Sequence, residues 1–354
     1  MTRPFAAVFA LAAFMALAMF ILPDTTLAQD ATRERTTPVT SSTPPPSVII
    51  PEDEDVIRVD TDLVNLNVRV VDRNNRPINN LSQREFTILE DGVPQTIDFF
   101  SQSEVPTNYS LVIDNSGSLR FQIADVIEAS KIIVKTNRPD DETSVIRFVS
   151  SNKIEILQDF TPSQEDLEYA LENLYIEAGR TAIIDAVYLA VQRISQYESN
   201  DPDAKRRALI LVSDGEDVNS YYNSKQLLDL LKESDVQIYT VGFINELDDK
   251  GGFISKSARS KAKSFLDELA TQTGGKAYYP NSLSELPTIA RDIGAEMRSQ
   301  YSIGYIPTND KEDGTYRNIR VVVNDGPNNE KRIPVTRAGR VANPGGAPSL
   351  QRPN

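Results

Sequence analysis

The stretch "YSLVIDNSGSLR" (residues 109–120) carries an apolar strand into Asp114, Ser116 and Ser118 and then into the start of a helix. Short oxygen-bearing side chains at every second position beyond a buried strand can converge on one point. A strand that feeds a helix is the first half of a β-α unit. Five more short apolar runs follow: "TSVIRFVS", "KIEILQDF", "RALILVSD", "VQIYTVGF" and "KAYYP". Between and after them, amphipathic periodicity predicts helices near 119–137, 163–175, 181–198, 223–234, 258–272 and 283–299. Asn223 with Gln226, and Ser282 with Glu285, have capping-box spacing, and Gly274-Gly275 stops the fifth helix. The second and third strands are separated only around Ser151-Asn152, so they form a hairpin and one strand runs antiparallel. The expectation for 107–298 is a doubly wound, mostly parallel α/β sheet of six strands.

Both flanks read differently. Over 56–106 the hydrophobic period is two: "VNLNVRVVD" alternates, "RNNRP" turns, "FTILE" follows, Asp91-Gly92 turns again and "QTIDFF" returns. That antiparallel unit has too few strands to stand alone. "QYSIGYIP" (300–307), "YRNIRVVVND" (316–325) and "KRIPVTR" (331–337) supply the missing ones. The reading is one small β-sandwich built from both ends of the chain (56–106 and 299–340), with the α/β domain inserted between them. Residues 29–55, with "TPPPS", and a tail over 341–354 are Pro/Ser-rich and read as disordered.

The N-terminus reads as a signal peptide over 1–28. Arg3 precedes the apolar run "FAAVFALAAFMALAMFIL", and Ala28 sits before a plausible cut. The run is also long enough to span a bilayer, so an uncleaved anchor is the alternative. Either way the folded part is expected outside the cytoplasm, periplasmic or secreted.

Composition narrows the chemistry. The chain has 37 Lys and Arg against 51 Asp and Glu, a net charge of −14 that repels phosphate backbones and argues against nucleic-acid binding. With no Cys there is no thiolate nucleophile or thiolate metal site, and with no His the commonest general base is missing. A metal held by this chain must sit among oxygens, which favours Mg²⁺, Mn²⁺ or Ca²⁺.

In doubly wound sheets, ligands bind beyond the carboxyl ends of the strands. Three polar segments meet there: "DNSGS" after the first strand, "GRTAIIDAV" (179–187) with Thr181 opening a helix, and "LILVSDGED" (209–217) with Asp214 ending a strand. Asp114, Ser116, Ser118, Thr181 and Asp214 offer two carboxylates and three hydroxyls, a set that suits a small hard cation and leaves it electrophilic. Gly117 is expected to permit the sharp turn. The bland alternative is that these residues cap helices. Glu216 and Asp217 read as solvated loop charges. Glu246, Asp248 and Asp249 read the same way, with a second cation as the alternative. Tyr221 and Tyr222 are candidate contact residues at the same rim.

The D-x-S-x-S trio, the distant Thr and the Asp before Gly resemble the metal-ion-dependent adhesion site (MIDAS) of von Willebrand factor A (VWA) domains, and all five positions match. The resemblance implies a Rossmann-like VWA fold and a bound divalent cation. On that pattern the serines contact the metal directly, and the aspartates and threonine do so directly or through water. The flanks, "VVDRNNRPINNLSQREFTILEDGVPQTIDFF" and "YSIGYIPTN…DGTYRNIRVVV", resemble the secreted bacterial VWFA-related domain family of Acidobacteria type.

The leading expectation is an exported, adhesion-like protein-binding module that engages a partner's Asp or Glu carboxylate through the cation. An envelope scaffold with a fold-stabilising ion is the alternative. A Mg²⁺-dependent hydrolase is disfavoured: the D-x-D enzymes carry an acid where this chain has Ser116, and no base serves either serine. No enzymatic activity is expected.

Overall fold

The computed structural model describes residues 63–102, 105–197, 206–248, 250 and 257–342. All belong to the second of two compact units, residues 59–354. The signal-peptide reading, the linker and most of the C-terminal tail lie outside the described residues. No described helix is long and apolar enough to cross a membrane.

The chain opens with β1 (Val64–Val71), β2 (Phe86–Glu90), β3 (Val93–Gln95) and β4 (Phe99–Ser101). The α/β layer follows: β5 (Thr107–Asp114), α1 (Ile123–Val134), β6 (Glu142–Ser150), β7 (Lys153–Thr161), α2 (Gln164–Glu172) and α3 (Ile183–Gln196). It continues with β8 (Arg206–Ser213), α4 (Ser224–Glu233), β9 (Gln237–Gly242), α5 (Ala258–Thr273), β10 (Ala277–Tyr278) and α6 (Leu286–Arg298). The described chain closes with β11 (Tyr301–Tyr305), β12 (Tyr316–Val323), β13 (Ile333–Val335) and β14 (Gly339–Val341).

The six-stranded sheet has the order β10-β9-β8-β5-β6-β7. Its neighbours run parallel except β6 and β7, whose hairpin turns at Ser151-Asn152 and pairs Ser150 with Lys153. Side-chain alternation splits the core in two. Tyr109, Leu111 and Ile113 of β5, with Ala208, Ile210 and Val212 of β8, pack under α1, α2 and α6. Val112, Leu209 and Leu211 pack under α3, α4 and α5 on the other face. The strand order reverses between β5 and β8, and that is where such sheets take ligands.

Two four-stranded antiparallel sheets, β13-β1-β11-β4 and β14-β12-β2-β3, form the sandwich expected from both chain ends. Val64, Leu66 and Val68 of the first sheet share a core with Ile88, Ile319 and Val321 of the second. "QTIDFF" is not a simple return strand. Gln95 ends β3 beside β2, and the chain then changes sheets, where Phe99–Ser101 pairs with β11. Asp98 anchors the crossing: its amide donates to the Gly304 carbonyl (2.9 Å) and its carboxylate accepts from the Ile306 amide (2.8 Å). The tail read from 341 begins later than expected, because Gly339–Val341 pairs with β12 and Ala342 is buried.

Sandwich and α/β layer are locked together at α6. Arg69 of β1 forms an ion pair with Glu296 of α6, and both side chains are 5% exposed. Arg206 donates to the Met297 carbonyl (2.9 Å), a group that the last turn of α6 leaves unbonded, and to the Gln300 carbonyl (2.8 Å) just beyond the helix. Burial pulls the Arg206 pKa down to about 10.

Candidate metal site

Asp114 is the last residue of β5, and the parallel register sets it beside Ser213, the last residue of β8. The Ser213 hydroxyl donates to Asp114 Oδ2 (2.8 Å), and the Ser116 amide donates to Asp114 Oδ1 (2.9 Å). Ser116 and Ser118 share a hydroxyl-hydroxyl hydrogen bond of 2.9 Å, so the D-x-S-x-S side chains do turn to one side. Asp114, Ser116 and Asp214 are buried, whereas Ser118 is exposed.

The turn is pinned from below by Asn115. Its amide donates to the Phe148 carbonyl (2.9 Å), its carbonyl accepts from the Glu177 amide (2.9 Å) and its Nδ2 donates to the Tyr175 carbonyl (2.9 Å). Gly117 does not play the expected part. Its backbone is not left-handed and a Cβ there would meet open space, so the turn does not require glycine. The required glycine is Gly215, at φ +85° after Asp214, where a Cβ would come within 3.0 Å of Ala262 and Leu266.

Thr181 is buried two residues ahead of α3 rather than opening it; Ala182 holds the N-cap position without a side-chain cap. Thr181 joins the Asp214 loop through its carbonyl, which accepts from the Val218 amide (2.9 Å) and the Asn219 amide (3.2 Å). Its hydroxyl makes no hydrogen bond among the described residues. The structure thus binds Asp114, Ser116, Ser118 and the Asp214 strand end into one hydrogen-bonded group, and ties Thr181 to it by main chain alone.

Three further residues shape the rim. Ser213, buried between two strands, also accepts from the Gly215 amide (3.1 Å) and so links Asp114 to the Asp214 turn. Asp217 is an exposed loop charge, as expected, and it also accepts from the Ile184 amide (3.1 Å) at the start of α3. Asp185, 3% exposed, accepts from the amides of Tyr221 (2.8 Å) and Tyr222 (2.9 Å) and holds their loop against α3. Tyr222 stacks on Tyr188 at 3.9 Å, while Tyr221 is exposed. Pairing register alone reveals Ser213. Asp185 leaves a fainter trace, a lone acid in the apolar run "IIDAVYLAV".

The electrostatics are those of an uncompensated acid pair. Burial, and then the charge of Asp214, push the Asp114 pKa up to about 6, against the hydrogen bonds from Ser116 and Ser213. Among the described residues neither aspartate forms an ion pair. Buried carboxylates are ordinarily paired or metal-bound. The donor set, two carboxylates and serine and threonine hydroxyls, fits a hard divalent cation. Among the described residues no group of three or more acids is placed to hold a metal ion, and Asp249, the third member of the alternative cation group with Glu246 and Asp248, lies outside the described residues.

The sequence profile of the von Willebrand factor type A domain matches residues 110–292. The chain belongs to the VWA family. Solved structures with the VWA fold are similar to it. BatB from Bacteroides thetaiotaomicron, a conserved hypothetical protein, is 17% identical over 55% of this chain and 100% of its own, with a TM-score of 0.40. A von Willebrand factor type A protein from Catenulispora acidiphila is 12% identical over 78% of this chain and 74% of its own, with a TM-score of 0.44. Proximal thread matrix protein 1 of the mussel byssus, with a zinc-occupied MIDAS motif, is 19% identical over 59% of this chain and 49% of its own, with a TM-score of 0.42. No curated protein matches.

Proposed function

We propose that the protein is an exported VWA binding module whose site holds a divalent cation, Mg²⁺ by preference, between Asp114, Ser116, Ser118, Thr181 and Asp214. The observation that carries this reading is the fully buried Asp114 carboxylate, which accepts from the Ser213 hydroxyl and the Ser116 amide and, among the described residues, from no cationic side chain. When bound, the cation supplies an electrophilic point that attracts one more anionic oxygen, the Asp or Glu carboxylate of a protein partner. The serine hydroxyls ligate without adding negative charge, Ser213 orients Asp114, and Asn115 fixes the turn.

The role is binding rather than catalysis. The chain has no His or Cys to act as base or nucleophile, and Ser116 stands where a D-x-D hydrolase would carry its general acid. Two measurements test the proposal. Calorimetric titration with Mg²⁺ should show one site that Asp114→Ala abolishes. A pull-down from envelope or culture extracts should recover a partner in Mg²⁺ and lose it in EDTA or with Asp114→Ala. Magnesium binding without any metal-dependent partner would instead favour a scaffold with a stabilising ion.

A further inference from the structure

Residues 173–182, which carry Thr181 from α2 to α3, contain no helix or strand and form a longer connection than most between helices. Among the described residues the Thr181 hydroxyl makes no hydrogen bond, so other groups must hold the segment in place. Asn115 holds its inner edge, at Tyr175 and Glu177. The β6–β7 hairpin holds the outer one. Arg147 of β6, its side chain 3% exposed, lies over the Tyr175 ring at 4.0 Å, and its Nη2 donates to the Tyr175 hydroxyl (2.5 Å). Lys153 of β7 forms an ion pair with Glu177. Gly179 lies so close to Val149 of β6 that a Cβ would collide with the valine side chain. At the hairpin tip, Ser151 Oγ donates to the Asn219 carbonyl (2.7 Å), and the Asn219 amide donates to the Thr181 carbonyl (3.2 Å). These links close a ring: Thr181 to Glu177 along the chain, Glu177 to Lys153, Lys153 to Ser151 around the turn, Ser151 to Asn219, and Asn219 back to Thr181.

We infer that the β6–β7 hairpin positions Thr181 for the cation, with Lys153, Glu177 and Gly179 as positioning residues, so that metal affinity is set in part by a sheet edge that contributes no ligand. The inference rests on the proposed metal site. Asp114, Ser116 and Ser118 are fixed by the end of β5 and by their own hydrogen bonds. Thr181 has no such anchor, and a displacement at Glu177 or Gly179 reaches it through a few residues of irregular chain. A ligand set works only within about 0.5 Å of its productive geometry, so a small displacement is felt at the metal. The Lys153–Glu177 pair is partly exposed, 41% and 28%, and pairs of this kind contribute little to stability. Its loss should therefore move metal affinity more than melting temperature.

Calorimetric Mg²⁺ titration of the full chain, beside its melting temperature in EDTA, tests this. Gly179→Ala should push the segment off β6 and weaken Mg²⁺ binding about tenfold. Adding Val149→Ala makes room for the new methyl group and should restore most of the affinity, even though it opens a cavity and lowers the melting temperature. Glu177→Gln should weaken binding about threefold at an unchanged melting temperature, and should have no further effect in a Thr181→Ala chain. Wild-type affinity in both Gly179→Ala and Glu177→Gln, no recovery with Val149→Ala, or an equal loss from Glu177→Gln with and without Thr181 overturns the inference. Hydrogen exchange in EDTA separates it from the metal reading. The Val218 and Asn219 amides, which donate to the Thr181 carbonyl, should exchange faster in Gly179→Ala and Glu177→Gln. Faster exchange in a chain that binds no Mg²⁺ keeps the hairpin's hold on Thr181 and sinks the metal site; Mg²⁺ binding with exchange unchanged does the reverse.

Discussion

Arg69 on the first strand of the sandwich and Glu296 on the last helix of the α/β layer form a buried ion pair, and Lys276 reaches the other Glu296 oxygen at 3.1 Å. Removing one partner leaves an uncompensated charge where water cannot reach. Glu296→Ala is expected to cost about 3–5 kcal/mol in urea unfolding. The double change Arg69→Met with Glu296→Leu should recover most of it. A single substitution without effect would show that the pair contributes nothing to holding α6.

Ser213 orients Asp114 without belonging to the proposed ligand set. Ser213→Ala removes a hydrogen bond that favours the ionised carboxylate. Supports of this kind typically change metal affinity by 10–100-fold, and about tenfold weaker Mg²⁺ binding is expected in a calorimetric titration. Unchanged affinity would separate Asp114 from the metal.

Protons and cations should compete for Asp114. Its folded pKa of about 6 lies above the unfolded value of 3.8, so between those limits the folded state binds more protons. Metal-free stability should therefore fall as pH rises from about 4 to about 6, by at most on the order of 3 kcal/mol, and then level off. With saturating Mg²⁺ the slope should reverse, since the cation binds only the ionised carboxylate. Urea midpoints at several pH values, with and without Mg²⁺, give the answer; a metal-free protein that gains stability over this range contradicts it.

Asp185 holds the Tyr221-Tyr222 loop by two amide hydrogen bonds. Asp185→Ala should free those amides at a cost of about 1–3 kcal/mol. Hydrogen exchange should then speed up at Tyr221 and Tyr222 more than in the β5–β8 ladder. Equal protection before and after would deny Asp185 that role.

Much of this architecture could be read before any coordinates. The apolar runs of the α/β layer are long enough for periodicity to separate strand from helix, and Asn223 with Gln226 does form its capping box. Asp91-Gly92 turns β2 into β3 with both residues at positive φ, 48° and 82°. The misreadings fall where a distant group decides a local event. Thr181 resembles an N-cap, yet α3 starts two residues later because Asp217 arrives from another loop to serve the Ile184 amide. Ser282 has capping-box spacing, but its hydroxyl pairs with that of Ser284 at 2.8 Å. The sheet change at Asp98 is set by β11, some two hundred residues away in sequence, which no local pattern announces.

The shared ladders of the sandwich also impose an order of events. The Leu81 amide donates to the Tyr301 hydroxyl across a separation of 220 residues, and β1 lies between β11 and β13. A ribosome that has just made β1 must finish the entire α/β layer before either neighbour exists. Until then the N-terminal strands present bare edges, the kind that invite pairing with another chain. Chain order alone therefore leaves β1 without its sheet neighbours until the last strands have been made.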